Sequence, residues 1–348
     1  MSSVALKDYP EATFNGFTKR LRLKPSINVN IYPEYIGYYL RSPKVRDQIT
    51  SFSTLTTRAS LNNSMLNMIE IELPLLGEQK SIGDTLSSLD EKIELNNQIN
   101  KNLEEMAQAI FKSWFIDFKP FQDGEFEESE LGKIPKGWKV GYLNEIGEIV
   151  GGGTPSKKRD DYYTSTGIPW VTPKDLSENK DKYISRGTTD ITELGLKESS
   201  AKLMPKGTVL FSSRAPIGYI AIAKNEVTTN QGFKSVIPKK EFGSEFIYYL
   251  LKFNTELIEN MATGTTFKEI SGSAMKKVPI IIPNINMVKK FNDVANSLGN
   301  LIQKNEEENK VLGDIRDTEI YTLSLHDALP IWDCRCTTSP RMNWNRPH

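Results

Sequence analysis

Between Ser81 and Asp117 the sequence SIGDTLSSLDEKIELNNQINKNLEEMAQAIFKSWFID places apolar residues in alternating steps of three and four. Ile82, Leu89, Asn96, Leu103 and Ile110 form one set, and Leu86, Ile93, Asn100, Ala107 and Trp114 form the other. The spacing holds for about five heptads with no Pro or Gly after Gly83, which is the pattern of a long helix with one apolar seam. At 1.5 Å per residue the helix would be roughly 50 Å long, more a strut than a core element. The pattern also fits an ordinary amphipathic helix on a globular domain. The two Asn in the seam favour a paired strut, because buried polar residues there cost stability but define register.

A strut needs a partner, and the sequence supplies one through a repeat. EATFNGFTK (11–19) matches EVTTNQGFK (226–234), with Asn15 against Asn230 and Phe17 against Phe233. EYIGYYLRS (34–42) matches EFIYYLLKF (245–253), and IELP (71–74) matches PIIIP (279–283). Both of the last pair are short apolar runs closed by Pro, read as strands. A second seamed helix follows from about Met287, through Phe291, Val294, Leu298, Leu301, Asn305, Leu312 and Ile315. Leu89 aligns with Leu298 and Asn96 with Asn305, so the unit repeats about every 210 residues. The first unit has only about 75 residues ahead of its helix, half a domain, whose strands lack partners.

Charge is balanced over the 348 residues at 44 bases and 44 acids, yet it is unevenly placed. Residues 84–130 hold 12 acids and 4 bases, whereas 151–240 hold 15 bases and 9 acids, a net +6. An acidic strut is thus joined to a basic globular segment, and a local basic surface bears more on partners than the total does. Both Cys (Cys334, Cys336) and both His (His326, His348) fall in the last 23 residues. Residues 1–325 therefore offer no Cys or Ser-His nucleophile, no zinc finger and no His acid/base pair. No apolar run approaches 18 residues and no signal peptide opens the chain, so a soluble, cytoplasmic protein with no membrane partner is expected.

Residues 138–283 carry short apolar runs broken by Gly and Pro, the pattern of a strand-rich α+β domain, with one helix over 244–261. Four polar loops stand out within it. GGGTPSKK (151–158) lacks the sixth-position Gly of a dinucleotide fingerprint and the G-K-[ST] of a Walker loop. Gly153, Thr154, Ser156, Lys157 and Lys158 could hold DNA phosphates, or form a plain turn. FSSRAPIGYIAI (211–222) offers Ser213 and Arg214, suited to guanine O6/N7, to a phosphate or to a surface salt bridge. NQGFKS (230–235) offers Asn230, Gln231 and Lys234, and Asn or Gln can pair adenine in bidentate fashion. GTTFKEIS (264–271) adds Thr265, Thr266 and Lys268. Tyr38–Tyr39 and Tyr248–Tyr249 suit base stacking, but their helical setting favours core packing. No Pro-Pro pair is present for an N-P-P-Y aminomethyltransferase site, and no Pro-Asp for the usual nuclease metal site. The loops suit a reader of DNA better than a modifier of it.

In GGGTPSKK, IPWVTPKDL, LFSSRAPIGYIAI, TNQGFKS, GTTFKEIS and LPLLGEQKSIGDTLSSLDEKIELNNQINKNLEEMAQAIFKSWFIDF, the chain resembles the specificity subunits of type I restriction-modification systems over about residues 11–317. The resemblance implies an α+β architecture: strand-rich target-recognition domains joined by two long antiparallel coiled-coil helices. On that plan 1–80 is a first recognition domain truncated at its N-terminus, 81–118 the first helix and 119–137 a linker. Residues 138–285 form a complete second recognition domain, 286–317 the second helix and 318–348 an unrelated tail, read as disordered or as a frameshifted or foreign extension. Helix pairing falls to Leu89, Ile93, Asn96, Asn100, Leu103, Leu298, Leu301 and Asn305.

The resemblance implies a non-catalytic reader of a bipartite site in double-stranded DNA. Phosphate contacts are expected from Lys157, Lys158 and Lys174, and base contacts from Arg214, Asn230 and Gln231. No metal or cofactor is expected on this chain. S-adenosylmethionine belongs to the modification (methyltransferase) subunits it would bind, and ATP and Mg²⁺ to restriction subunits reached through that complex. A half-unit chain could also form a homodimer that restores two recognition domains. Two other readings stay open: a coiled-coil scaffold whose globular domain binds protein, and a non-functional product of a rearranged specificity gene.

Overall fold

The computed structural model describes residues 18–22, 30–52, 62–214, 216–264 and 268–323. It divides into two compact units, one of residues up to Asn96 together with those from Glu308 on, the other of Asn97–Glu307. Two long helices, Leu76–Phe115 and Ile285–Thr322, each contribute to both. The first begins five residues ahead of the expected Ser81 and ends ahead of 118.

In the first unit, short helices Pro33–Tyr39, Pro43–Phe52 and Asn63–Asn67 pack with the amino-terminal half of the first long helix. Tyr35, Tyr39, Val45, Ile69 and Leu86 are buried together, so the Tyr38–Tyr39 pair belongs to the core. The run 71–74, expected as a strand, carries no ladder. Its repeat counterpart is Pro279–Ile282, which does pair, with Lys139–Tyr142. Among the described residues of the first unit nothing corresponds to that partner strand, and an apolar run without a partner cannot form a ladder. The second long helix runs to Thr322, past the boundary expected at 317. Ile320 and Leu323 are buried against this cluster, so the first residues of the expected tail belong to the fold. Residues 324–348 lie outside the described residues.

The second unit is strand-rich. Its strands are β1 (Phe126–Ser129), β2 (Gly132–Pro135), β3 (Lys139–Tyr142), β4 (Gly147–Gly151), β5 (Tyr163–Thr164), β6 (Ile168–Val171) and β7 (Tyr183–Ile184). There follow β8 (Thr189–Ile191), β9 (Val209–Ser213), β10 (Ile217–Ala223), β11 (Thr228–Thr229), β12 (Lys234–Pro238) and β13 (Pro279–Ile282). A five-stranded sheet has the order β4-β12-β9-β10-β7 and a four-stranded sheet the order β11-β6-β8-β5. Residues 119–137, expected as a linker, instead hold the β1–β2 hairpin. Ile134 and the neighbouring Trp138 are buried in the main core, because the aromatic end of the first long helix needs cover. The expected helix over 244–261 is two helices, Gly243–Phe253 and Thr255–Asn260, broken at Asn254. Phe111 and Phe115 meet Phe291 of the second long helix at ring separations of 5.4 and 5.5 Å, and Phe246 also packs there. Tyr248 and Tyr249 are buried in the same cluster.

Within each unit the two long helices touch with opposed directions. In the first unit Arg316 donates to Asp90 at 2.6 Å, and Asn96 donates to Glu308 at 2.8 Å and to Asn309 at 2.9 Å. In the second, Asn305 donates to Asn100 at 2.8 Å. Rising numbers on one helix thus meet falling numbers on the other. Both expected seam sets of the first helix avoid solvent: Leu86, Asn96 and Ala107 are buried and the other members half-buried. Leu89, Leu103 and Leu298 join hydrophobic clusters.

Leu301 does not belong to the seam. It is 49 % exposed, as Val294 and Ile315 are exposed, while Ala295 and Ile302 are buried. The seam follows 291, 295, 298, 302 and 305, so the position four residues on is the buried one, not the position three on. Apolar side chains occur at both offsets, and only the partner surface chooses between them.

Candidate nucleic-acid interface

The four loops come together at one end of the five-stranded sheet. β12 runs antiparallel to both β4 and β9, so its amino end lies beside their carboxyl ends. Lys234 is paired with Gly151 in the ladder, and Ser212 is bridged to Phe233. Backbone hydrogen bonds then join the loops. Gly153 N donates to Thr229 O at 2.8 Å, Ser213 N to Gly232 O at 2.7 Å, and Ile270 N to Ser213 O at 3.1 Å. Asn230 N donates to Val171 O at 3.1 Å, bringing the helix Pro173–Glu178 to the same edge.

Close packing at this junction explains its glycines. A Cβ on Gly152 would strike the Asn230 carbonyl, and one on Gly153 would strike the backbone of Ser200 and Ala201. The Gly153 carbonyl also accepts from the Trp170 indole at 3.0 Å. Gly153 therefore shapes the loop and is buried itself.

The structure sorts the remaining candidates by what they are free to do. Ser156, Lys157, Lys158, Gln231 and Lys268 are exposed. Thr154 is half-buried and its hydroxyl donates to Gln231, joining two of the loops. Lys174 is exposed and pairs with Glu178 at 3.5 Å one helical turn on. Thr265 and Thr266 lie outside the described residues.

Three candidates are committed to the fold rather than presented on a surface. Ser213 is fully buried in β9, where side chains of a central strand are covered on both faces. The Asn230 carboxamide accepts from Gly232 N at 2.8 Å, a local turn that uses its acceptor. Lys234, with a side chain 14 % exposed, donates to Ser213 at 3.4 Å and to Glu269 at 3.3 Å. Arg214 lies 3.5 Å from the other oxygen of Glu269, so the surface salt bridge left open by the sequence is what forms. Glu269 sits within GTTFKEIS, yet the sequence reading passed it over in favour of its polar and basic neighbours. An acid amid four basic loops was the signal available.

A second polar cluster lies inside the same unit. Lys182 donates to Glu245 at 2.7 Å and to the Tyr249 hydroxyl at 2.9 Å, and stands 3.4 Å from Glu104. Tyr249 and Lys252 donate to Glu104 at 2.6 and 2.7 Å. Burial by itself would raise the Glu104 carboxyl, but the charges of Lys182 and Lys252 and the hydrogen bonds from Lys252 and Tyr249 outweigh it and hold it below its usual range. Burial pushes Tyr248 and Tyr249 up. The group ties the domain to residues 104 and 306 of the long helices, since Glu306 accepts from Lys182 N at 2.7 Å.

Among the described residues no group of three or more His, Cys, Asp or Glu side chains is placed to hold a metal ion. No helix among them is long and apolar enough to cross a membrane.

Comparison with known proteins bears on the family and the fold. The chain is 47 % identical over 193 residues to the type I restriction enzyme MjaIX specificity subunit of Methanocaldococcus jannaschii, covering 55 % of this chain and 44 % of that protein. It is 26 % identical over 362 residues to the HindI specificity subunit of Haemophilus influenzae, covering 86 % of this chain and 78 % of that one. The crystal structure of the S subunit of a type I restriction-modification system from M. genitalium shares the fold, with a TM-score of 0.52 at 18 % identity over 84 % of this chain and 72 % of that one. The family model described as type I restriction modification DNA specificity domain matches residues 1–105 and 135–312. With most of its length matched in two blocks that share a long helix-bearing layout, the chain belongs to the type I restriction modification DNA specificity domain family.

Proposed function

We propose that this chain is a non-catalytic DNA-reading subunit that directs modification and restriction subunits to a target in double-stranded DNA. The observation that carries the reading is the convergence of four polar loops at one sheet end, with Lys157, Lys158, Gln231 and Lys268 exposed there. Cations in such a place position phosphates, and Gln231, whose amide oxygen accepts from Thr154, keeps its amide nitrogen for a base edge. The recognition domain extends over about 126–285, wider than the expected 138–285 because the β1–β2 hairpin packs into its core. The first unit supplies the corresponding part of a second reader.

The long helices serve the partners. Leu95, Ile99, Met106, Leu301, Val311 and Ile315 are exposed on them, and apolar residues left in water along a helix suit a protein interface. That supports modification subunits as direct partners, with restriction subunits recruited through them. Under this reading S-adenosylmethionine, ATP and Mg²⁺ act on those subunits, the complex works in the cytoplasm, and a homodimer would supply a second reading domain.

Co-purification with a modification subunit, followed by mapping of methylated adenines, tests the proposal. Methylation at one recurrent sequence that depends on this chain is the expected result. Methylation indifferent to its presence, or no retention of duplex DNA at low salt, would refute it.

A further inference from the structure

Resting on the DNA-reading assignment, the loop junction contains one group with no obvious place in a surface built for phosphates. Glu269 extends its carboxylate to cations from two other loops, 3.5 Å to Arg214 and 3.3 Å to Lys234. Its backbone is clamped from both sides. Glu269 N donates to Thr263 O at 2.9 Å, Thr263 N donates to Glu269 O at 3.1 Å, and the strand-like bridge continues to Arg214. The carboxylate is thus presented from a fixed point.

Pairs this exposed, with Arg214 and Glu269 side chains 37 % and 39 % accessible, contribute little to stability. Their effect on an approaching polyanion is larger. Without Glu269, Arg214 and the mostly buried Lys234 would leave two uncompensated positive charges at the loop junction, which attract any phosphate and repel each other. With Glu269 the net charge of the three is +1, and the guanidinium fork has a fixed anchor. A fork held in one orientation can meet guanine O6 and N7 together, whereas an unanchored one must first lose rotamer freedom to do so.

We infer that Glu269 is a positioning residue for DNA reading: it anchors Arg214 and Lys234 and cancels one of their charges, trading sequence-independent affinity for discrimination. It acts through those two side chains.

The test uses the full chain, a random-sequence duplex and a series of salt concentrations. Glu269→Gln exposes one more positive charge, so the slope of log affinity on log salt steepens by about 0.9 and random duplex binds on the order of tenfold tighter near 0.1 M salt. Duplexes selected by Glu269→Gln from a randomised library show weaker base preference than those selected by the wild type. Glu269→Asp, which keeps the charge, restores the slope. Glu269→Ala carries the same expectation as the Gln variant, and thermal melting verifies the fold of each, so one unstable variant leaves the other to decide. Wild-type binding with unchanged slopes and unchanged selection in folded variants overturns this inference alone. Wild-type protein that retains no duplex at any salt overturns the DNA-reading assignment and the inference with it.

Discussion

Lys182 and Glu245 meet at 2.7 Å with side chains only 5 % and 3 % exposed, an ion pair taken almost wholly out of water. It is satisfied from several directions: Tyr183 donates to Glu245 at 2.5 Å, Tyr249 and Glu104 complete the Lys182 shell, and the ammonium lies 4.5 Å from the Tyr249 ring centre. Gly299 of the second long helix makes room, since a Cβ there would meet the Tyr183 hydroxyl and the Glu245 carboxylate. The cluster anchors the recognition domain to its helices by polar contacts that only one arrangement satisfies.

Removing one member should therefore cost more than an ordinary surface pair. Lys182→Met leaves the buried Glu245 without its cation and Glu104 with Lys252 alone, and a loss of about 3–5 kcal/mol is expected in urea denaturation. A change below about 1 kcal/mol would show that water enters the cluster freely.

Stability should also depend on pH through Glu306. Burial, reinforced by the charge of Asp181, pushes its carboxyl from 4.5 up to about 8. Between those values the folded chain keeps a proton that the unfolded chain has released. This contribution therefore falls as pH rises from about 4.5 to about 8 and is flat above. Glu306→Gln can still accept from Lys182 N while carrying no charge. The gap in melting temperature between variant and wild type should widen in the variant's favour from pH 5 to pH 8. An equal gap at both would place the titration elsewhere.

The helix seam offers a direct comparison between neighbours. Ile302 is 2 % exposed and Leu301 49 %, so Ile302→Ala should cost about 2–4 kcal/mol and Leu301→Ala within about 0.5 kcal/mol in the isolated chain. Chemical denaturation of the two variants decides the register. Equal losses would return Leu301 to the seam.

Loop cations should differ by their freedom. Lys157→Gln and Lys158→Gln, both exposed, should each make the salt slope of duplex binding shallower by about 0.9. Lys174→Gln should change it less, because Lys174 already faces Glu178 at 3.5 Å. Titration of a random duplex at several salt concentrations checks all three, and unchanged slopes for the first two would remove that loop from the interface.

What the sequence determined by itself were features written in local order. The first seam was legible because its positions recur in steps of three and four over about five heptads, although Leu95, Ile99 and Met106 stand one residue off it and are exposed. The repeat was legible because matching residues recur at a nearly constant spacing, from Asn15 and Asn230 to Leu89 and Leu298. The candidate loops stood out through Gly, Pro and polar residues between apolar runs. Tertiary structure decided what local order leaves degenerate. Ala295 and Ile302 rather than Val294 and Leu301 were chosen by the surface they meet. Lys234 and Arg214 look like free cations in a string of letters, and they are paired because β12 and β9 bring them to a carboxylate some 35 and 55 residues away. Chain neighbours set helix periodicity, whereas burial and charge pairing depend on distances that exist only after the strands have paired.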